Sequence, residues 1–219
     1  MKKMEESLTK IISDILPDGR IETTVLPQCP EISLYLLNTE YPRTLLGKEQ
    51  GVRLMEEPMF WLFCWASGHA LARYIMDNPH VVQGRQVLDF GCGSGVVAIA
   101  AAKAGAAKTW ACDSDPCAAQ AAALNCRLNS VPVEVIHDWC DCIADPDLIL
   151  AADVLYDSDN LGLLYKFAER ASEVLVADSR VKEFKVPFYR KIAELEGATV
   201  PDLGEPDEFG HVNIYHDPV

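Results

Sequence analysis

The stretch Asp89-Phe90-Gly91-Cys92-Gly93-Ser94-Gly95 has a composition suited to holding a ligand. Glycines at alternate positions let a backbone turn sharply and lie against a bound molecule with no Cβ in the way. A helix starting just after them would aim its first N–H groups at the same spot, which favours an anionic group. A dinucleotide fingerprint spaces its glycines G-x-G-x-x-G. Here the spacing is G-x-G-x-G, and Val96 stands where the third dinucleotide glycine would be. That shifts the expectation from NAD to a methyl donor whose carboxylate, not a pyrophosphate, meets the loop. A plain tight turn is the alternative for this loop taken alone.

Further groups follow at regular intervals. Asp113, with Ser114 after it, can accept the hydrogen bonds of a ribose diol. Asp115 precedes Pro116 and suits a helix cap better. Asp138-Trp139 pairs a carboxylate, which can accept from an adenine amino group, with a ring that can stack on the base. Trp139 could equally be core. Ala152-Asp153-Val154-Leu155-Tyr156 places a carboxylate and a phenol three apart, on one side of a helical turn. Asp153 as a mere helix cap is the alternative there. Several such groups at successive strand ends coincide by chance far less readily than any one alone.

Those residues need a scaffold that gathers strand ends. Gln86–Phe90, Thr109–Cys112, Val131–His137, Leu148–Ala152 and Val174–Ala177 read as strands. Val96–Ala104, Pro116–Asn129, Leu161–Ala171 and Phe184–Leu195 read as helices. Thr199–Leu203 and His211–His216 read as a closing antiparallel pair. The alternation predicts an α/β fold, a doubly wound and mainly parallel sheet of seven strands covered on both faces. Ligands of such sheets bind at the carboxyl ends of the strands. The domain is expected over residues 59–219. Its first segment, Phe60–Asp77, reads as helical, with Trp61, Trp65, Leu71 and Ile75 near one face. Residues 1–58 read as an N-terminal extension. It comprises a helix Leu8–Leu16, a turn at Asp18-Gly19, strands Ile21–Leu26 and Ile32–Leu37, and a long ordered loop over 38–58.

Bulk properties narrow the partners. The length of 219 residues suits one domain with an appendage, and 49% apolar residues can bury a sizeable core. A formal charge of −14 repels phosphate backbones and anionic lipid heads, arguing against nucleic acid and membrane partners. It suits a basic protein or an amine, although acidity also serves simple solubility. The longest apolar stretch, Met59 to Ala66, is far short of the roughly twenty residues that span a bilayer. Met1 to Leu16 mixes Lys with Glu and Asp and lacks the apolar core of a signal peptide. The eight cysteines form no disulfide-rich pattern and read as reduced thiols. Cys140-x-Cys142 near His137 has no second ligand pair with zinc-site spacing, so no metal is expected.

These motifs resemble those of the seven-β-strand, Rossmann-like methyltransferases. Within them they resemble the protein lysine methyltransferases with an Asp-x-x-Tyr motif, most of all those acting on the electron transfer flavoprotein β subunit. The likeness runs from about Cys29 to Leu161. It includes Cys29-Pro30-Glu31-Ile32, Phe60-Trp61, Trp65 through Tyr74, Asp77-Asn78-Pro79, Leu124-Asn125-Cys126 and Asp153-Val154-Leu155-Tyr156-Asp157. Close relatives order the small residues of the glycine loop differently, and little distinctive likeness extends beyond Asp178.

The resemblance implies S-adenosylmethionine as cofactor, held by Trp65, Asp89, Gly91, Cys92, Gly93, Gly95, Asp113, Ser114, Asp138, Trp139 and Ala152. It implies Asp153 and Tyr156 as catalytic residues, Asp153 holding the lysine head and Tyr156 bordering its channel. The implied partner is a protein with exposed lysines, the flavoprotein β subunit, and the chain is expected to act as a monomer. Mitochondrial members carry import sequences that are not legible here, so a cytoplasmic location is expected. A small amine or a ribosomal protein as acceptor, or a nucleotide-binding module without catalysis, are the other readings.

Overall fold

The computed structural model describes residues 2–16, 19–39, 58–142, 144–155, 158–181 and 186–218. The chain opens with α1 (Lys2–Ile15) and a two-stranded antiparallel hairpin, β1 (Ile21–Val25) and β2 (Ser33–Leu37). Most of the expected loop, residues 40–57, lies outside the described residues. Phe60–Leu62 forms one 3-10 turn, and after a break α2 runs Ala66–Asp77. The expected single helix over 60–77 is therefore two pieces. Phe63 is extended at φ −124° and ψ 150°, and Trp65 is the N-cap of α2.

The main body follows as β3 (Gln86–Phe90), α3 (Val96–Lys103), β4 (Lys108–Cys112), α4 (Pro116–Leu128), β5 (Val133–Ile136) and β6 (Leu148–Ala152). Then come a 3-10 turn at Ser158–Gly162, α5 (Leu163–Ala168), β7 (Glu173–Asp178), β8 (Arg190–Glu196) and β9 (His211–Asp217). The seven-stranded sheet has the order β5-β4-β3-β6-β7-β9-β8. Its ladders are parallel except for β9, which runs antiparallel to both β7 and β8. This is the doubly wound, mainly parallel architecture that the alternation of elements predicts.

Two expectations at the C-terminal end need correction. Of the helix expected over 184–195, residues 186–189 form a turn and 190–195 belong to the strand β8. The strand expected over 199–203 is absent; Val200 only bridges to Cys64. In β8 the residues Ala193 and Leu195 are half-buried while Ile192, Glu194 and Glu196 are exposed. A two-residue period against β9 has overridden the helix preference of Lys, Ala, Glu and Leu.

The strands alternate between two cores. Val87, Leu148, Leu150, Leu175 and Ala177 join α2, α3 and Cys126 of α4 on one face. Leu88, Trp110, Ile149, Val174 and Val176 join Leu164 and Phe167 on the other. Successive side chains of a strand point to opposite faces, so a sheet covered on both sides needs apolar residues at consecutive positions. Residues of the N-terminal extension share these cores. Leu26, Cys29, Ile32, Leu34 and Leu36 pack into the first. Leu8, Ile12, Ile15 and Leu16 pack with Trp61, Leu62 and the α4 residues Ala118, Ala121 and Leu124. Side chains of α4 and of its C-cap Asn129 also reach the outer edge of β2. Asn129 accepts from the Ser33 N–H (3.2 Å) and donates to its carbonyl (2.6 Å), and Asn125 accepts from the Tyr35 N–H (2.7 Å).

Candidate active site

The carboxyl ends of β3, β4 and β6 open onto a cleft of about 780 Å³. A second hollow of about 260 Å³ shares Phe90, Gly91, Asp113 and Ser114 with it. Both lie where an open α/β sheet binds its ligands. The larger cleft is lined by Trp65, Gly91, Gly93, Asp113, Ser114, Ala152 and Asp153 among others, and the smaller by His137, Asp138 and Trp139.

The glycine loop has the conformation that its composition suggests. Gly91, Gly93 and Gly95 all have positive φ, at +67°, +51° and +79°. A Cβ on Gly91 would lie 2.8 Å from the Val154 side chain, and one on Gly95 3.1 Å from Ala122. A Cβ on Gly93 would meet nothing within 4 Å and would protrude into the cleft. The loop is tied down by Asp113, whose carboxylate accepts from the N–H groups of Gly93 (2.9 Å) and Asp115 (3.0 Å). Burial raises the Asp113 pKa, and those two N–H groups counter it.

Asp89, Cys92 and Gly95 do not line either hollow. Asp89 lies under the glycine loop, 2% exposed, and accepts the Ala98 N–H of α3 at 2.9 Å. Burial pushes its pKa up to about 7. The Cys92 side chain packs against Ala98, Ala111 and Ala122. These residues shape the loop from behind.

In the smaller hollow Asp138 accepts the Cys140 N–H (2.8 Å), which holds its pKa below the usual range. The Trp139 ring meets Phe90 and Phe167 edge-on, at 5.3 and 5.7 Å, and Arg170 lies over it at 5.0 Å. Asp115 caps α4 through the Cys117 N–H.

At the far end of the cleft stands Asp153, a non-glycine residue at φ +54°. Such a conformation is costly and concentrates at functional sites. Both of its oxygens are held by Ser67, which donates from its N–H (3.1 Å) and its hydroxyl (2.5 Å). Burial raises the Asp153 pKa to about 6, and the Ser67 hydroxyl opposes that rise. Tyr156 lies outside the described residues.

Several contributors were not anticipated, Ser67, Asn160, Phe60 and Arg180 among them. Ser67 has no sequence signal beyond its place in the Trp65 segment. Asn160 donates to the Val154 carbonyl (2.9 Å) and lines the cleft. Phe60 and Arg180 line it too, and Arg180 sits just after β7, where the sequence carries no distinctive motif.

Comparison with known proteins decides the family. Electron transfer flavoprotein beta subunit lysine methyltransferase of Mus musculus is 35% identical over 190 residues, covering 83% of this chain and 73% of its own. The Xenopus laevis protein of the same name is 33% identical over 198 residues, covering 86% and 79%. The chain belongs to the electron transfer flavoprotein β-subunit lysine methyltransferase family. The wider profile of ribosomal protein L11 methyltransferase (PrmA) matches residues 70–179. Magnesium protoporphyrin IX methyltransferase from Synechocystis PCC 6803, solved with bound SAM, shares the fold at TM-score 0.51 and 14% identity. That match covers 66% of this chain and 76% of the other.

The cofactor is S-adenosylmethionine, the molecule bound in that solved methyltransferase. The cleft fits it: the volume lies within the range of about 300–1,000 Å³ typical of small-molecule sites, and Gly93 leaves room that any side chain would fill. Among the described residues no group of three His, Cys, Asp or Glu side chains could hold a metal ion.

Proposed function

We propose that this enzyme methylates one or more lysines of the electron transfer flavoprotein β subunit. The observation that carries this reading is the Asp153 carboxylate. It is fixed by Ser67 at the end of β6, on the wall of the donor cleft. S-adenosylmethionine supplies an electrophilic methyl group, which a neutral amine can take by direct displacement. With a pKa of about 6, Asp153 is mainly ionised at neutral pH and can hold an incoming ammonium. A free lysine has a pKa near 10.4, so its proton must leave before transfer. Water takes that proton; desolvation of the amine as it enters the cleft favours the loss, and the Asp153 carboxylate opposes it. Asp153 then orients the amine, and Tyr156 is proposed to border its channel. Positioning of this kind can supply about 7–11 kcal/mol.

Asp113 is proposed to hold the ribose diol, Asp138 and Trp139 the adenine, and Trp65 to close over the donor. Asp89, Cys92 and Gly95 are proposed to serve it indirectly, through the loop. The acidic chain suits a lysine-rich acceptor segment.

Mass spectrometry of the recombinant β subunit after incubation with enzyme and donor should show added methyl groups. An unmodified β subunit beside a methylated ribosomal protein would favour the second reading, which the match to the PrmA profile supports. Tyr156→Phe separates channel shape from amine orientation, a small loss of rate indicating shape.

The same reading takes the enzyme as a cytoplasmic monomer without nucleic acid or membrane partners. All eight cysteines are free thiols, which suits a reducing compartment. Among the described residues no helix is long and apolar enough to cross a membrane.

A further inference from the structure

A methyl donor with a methionyl group carries a carboxylate into a cleft whose walls are acidic. Asp113, Asp115 and Asp153 line it. The usual refuge for such an anion is a helix N-terminus. Three helices begin at this cleft, and each N-terminus already receives a carboxylate of the chain itself. Asp153 accepts from Ser67 N–H on α2, Asp89 from Ala98 N–H on α3, and Asp115 from Cys117 N–H on α4. A second first-turn N–H of α2, that of Ala66, donates to the Thr199 hydroxyl (3.2 Å). On the helix after the glycine loop, where the ligand carboxylate is expected, Asp89 already takes the Ala98 N–H.

One cation remains. Among the described residues lining the cleft, Arg180 alone is positively charged. Its orientation is set before any ligand arrives. Nη2 donates to Glu205 at 2.7 Å, the guanidinium lies 4.3 Å from the centroid of Phe209 and 6.0 Å from that of Trp65, and its side chain is 32% exposed. Glu205 is itself held by the Thr199 hydroxyl (2.6 Å). A guanidinium has five N–H donors, and among the described residues only Nη2 has a hydrogen-bond partner. The others are available for a two-pronged grip on a carboxylate, the geometry in which arginine excels.

We propose that Arg180 is the carboxylate-binding residue of this cleft. Two sources could supply that carboxylate: the methionyl end of the donor, or an Asp or Glu beside the acceptor lysine. The acceptor source rests on the lysine reading above; the donor source does not.

Calorimetry distinguishes them without turnover. S-adenosylhomocysteine and its analogue lacking the carboxylate are titrated into the wild type and Arg180→Gln. If the donor is the source, the wild type prefers S-adenosylhomocysteine by about tenfold or more, and Arg180→Gln abolishes that preference by weakening S-adenosylhomocysteine alone. If the acceptor is the source, Arg180→Gln binds S-adenosylhomocysteine normally. Its KM then rises about tenfold for a lysine peptide with a neighbouring Glu, and not for the Gln version of that peptide. The double variant Arg180→Gln/Glu205→Gln repeats both arms without an unpaired Glu205, so a folding defect does not obscure the result. Unchanged discrimination in both arms would overturn the proposal. Failure of the wild type to methylate either peptide would count against the lysine reading, and the S-adenosylhomocysteine arm would still decide the role of Arg180.

Discussion

The two ends of the cleft are built in different ways. At the glycine-loop end the structure centres on one short loop: three glycines of positive φ, with Asp113, 20 residues on, tied to the backbone N–H groups of Gly93 and Asp115. At the Asp153 end it is assembled from afar. Ser67 lies 86 residues from Asp153, and Arg180 is held by Glu205, 25 residues further along. A donor that is always the same molecule can be met by one short loop. The Asp153 end, proposed for an acceptor that differs from enzyme to enzyme, draws its side chains from several elements, each free to vary.

If the ends are separable in this way, substitutions should sort by end. The largest effect is expected for Asp153→Ala, a loss of about 100-fold or more in rate at saturating donor. Its donor affinity should stay within a few-fold, because the groups proposed for ribose and adenine follow β4 and β5. Rate and calorimetric titration measured on the same preparation check this, and an active Asp153→Ala would remove Asp153 from the acceptor site.

Asp113→Ala should act in reverse, weakening donor binding by about 10- to 100-fold and raising the donor KM before kcat falls. It also frees the Gly93 N–H, so a shifted loop contributes to the loss.

A third substitution tests whether the donor end depends on the N-terminal hairpin. Asn125 is fully buried, accepting from Tyr35 N–H and donating to the Ser94 carbonyl inside the glycine loop. Asn125→Leu should cost about 1–3 kcal/mol of stability for each polar group left unpaired, read by denaturant unfolding. Donor affinity should fall with it, while the acceptor KM should not.

The smallest effect sharpens the acceptor end. Ser67→Ala removes the hydroxyl that lowers the Asp153 pKa from the position set by burial, so that pKa should rise above about 6. Activity that needs ionised Asp153 is present above its pKa and lost as the pH falls through it. The acid limb of kcat/KM should therefore move to higher pH in Ser67→Ala, and Ser67→Thr should restore it. Stability runs the opposite way. The folded carboxyl keeps its proton to about pH 6 while the unfolded one loses it near 3.9, so this group's contribution declines as pH rises between those values. Melting curves at pH 5 and 8 should show the window widening upward in Ser67→Ala.

The same division decides what could be read from the sequence. The strands before Asp113 and Asp153 are short apolar runs followed at once by polar residues, a pattern set within ten residues or so. The glycine loop carries its own conformation. Ser67 and Arg180 have no such local mark: the packing of α2 against β6 and β7 brings Ser67 to Asp153, and Arg180 reaches the cleft from the end of β7. The segment Arg190–Glu196 failed for a related reason. Its residues prefer a helix when taken alone, and only pairing with β9 makes them a strand. Asp89 and Cys92 sit within the recognisable motif yet turn away from the cleft, since a motif marks a conformation and not the direction of each side chain.

Asn125 of α4 and its C-cap Asn129 have one more effect, on what the hairpin could do to other molecules. A two-stranded ribbon has a bare edge, and a bare edge invites another chain to add a strand, the first step of aggregation. On the outer side of β2, Asn129 meets both the N–H and the carbonyl of Ser33, and Asn125 meets the N–H of Tyr35. Two carboxamide side chains thus occupy the positions that a neighbouring strand would take. They shield that edge of the hairpin from intermolecular pairing, where no third strand lies among the described residues.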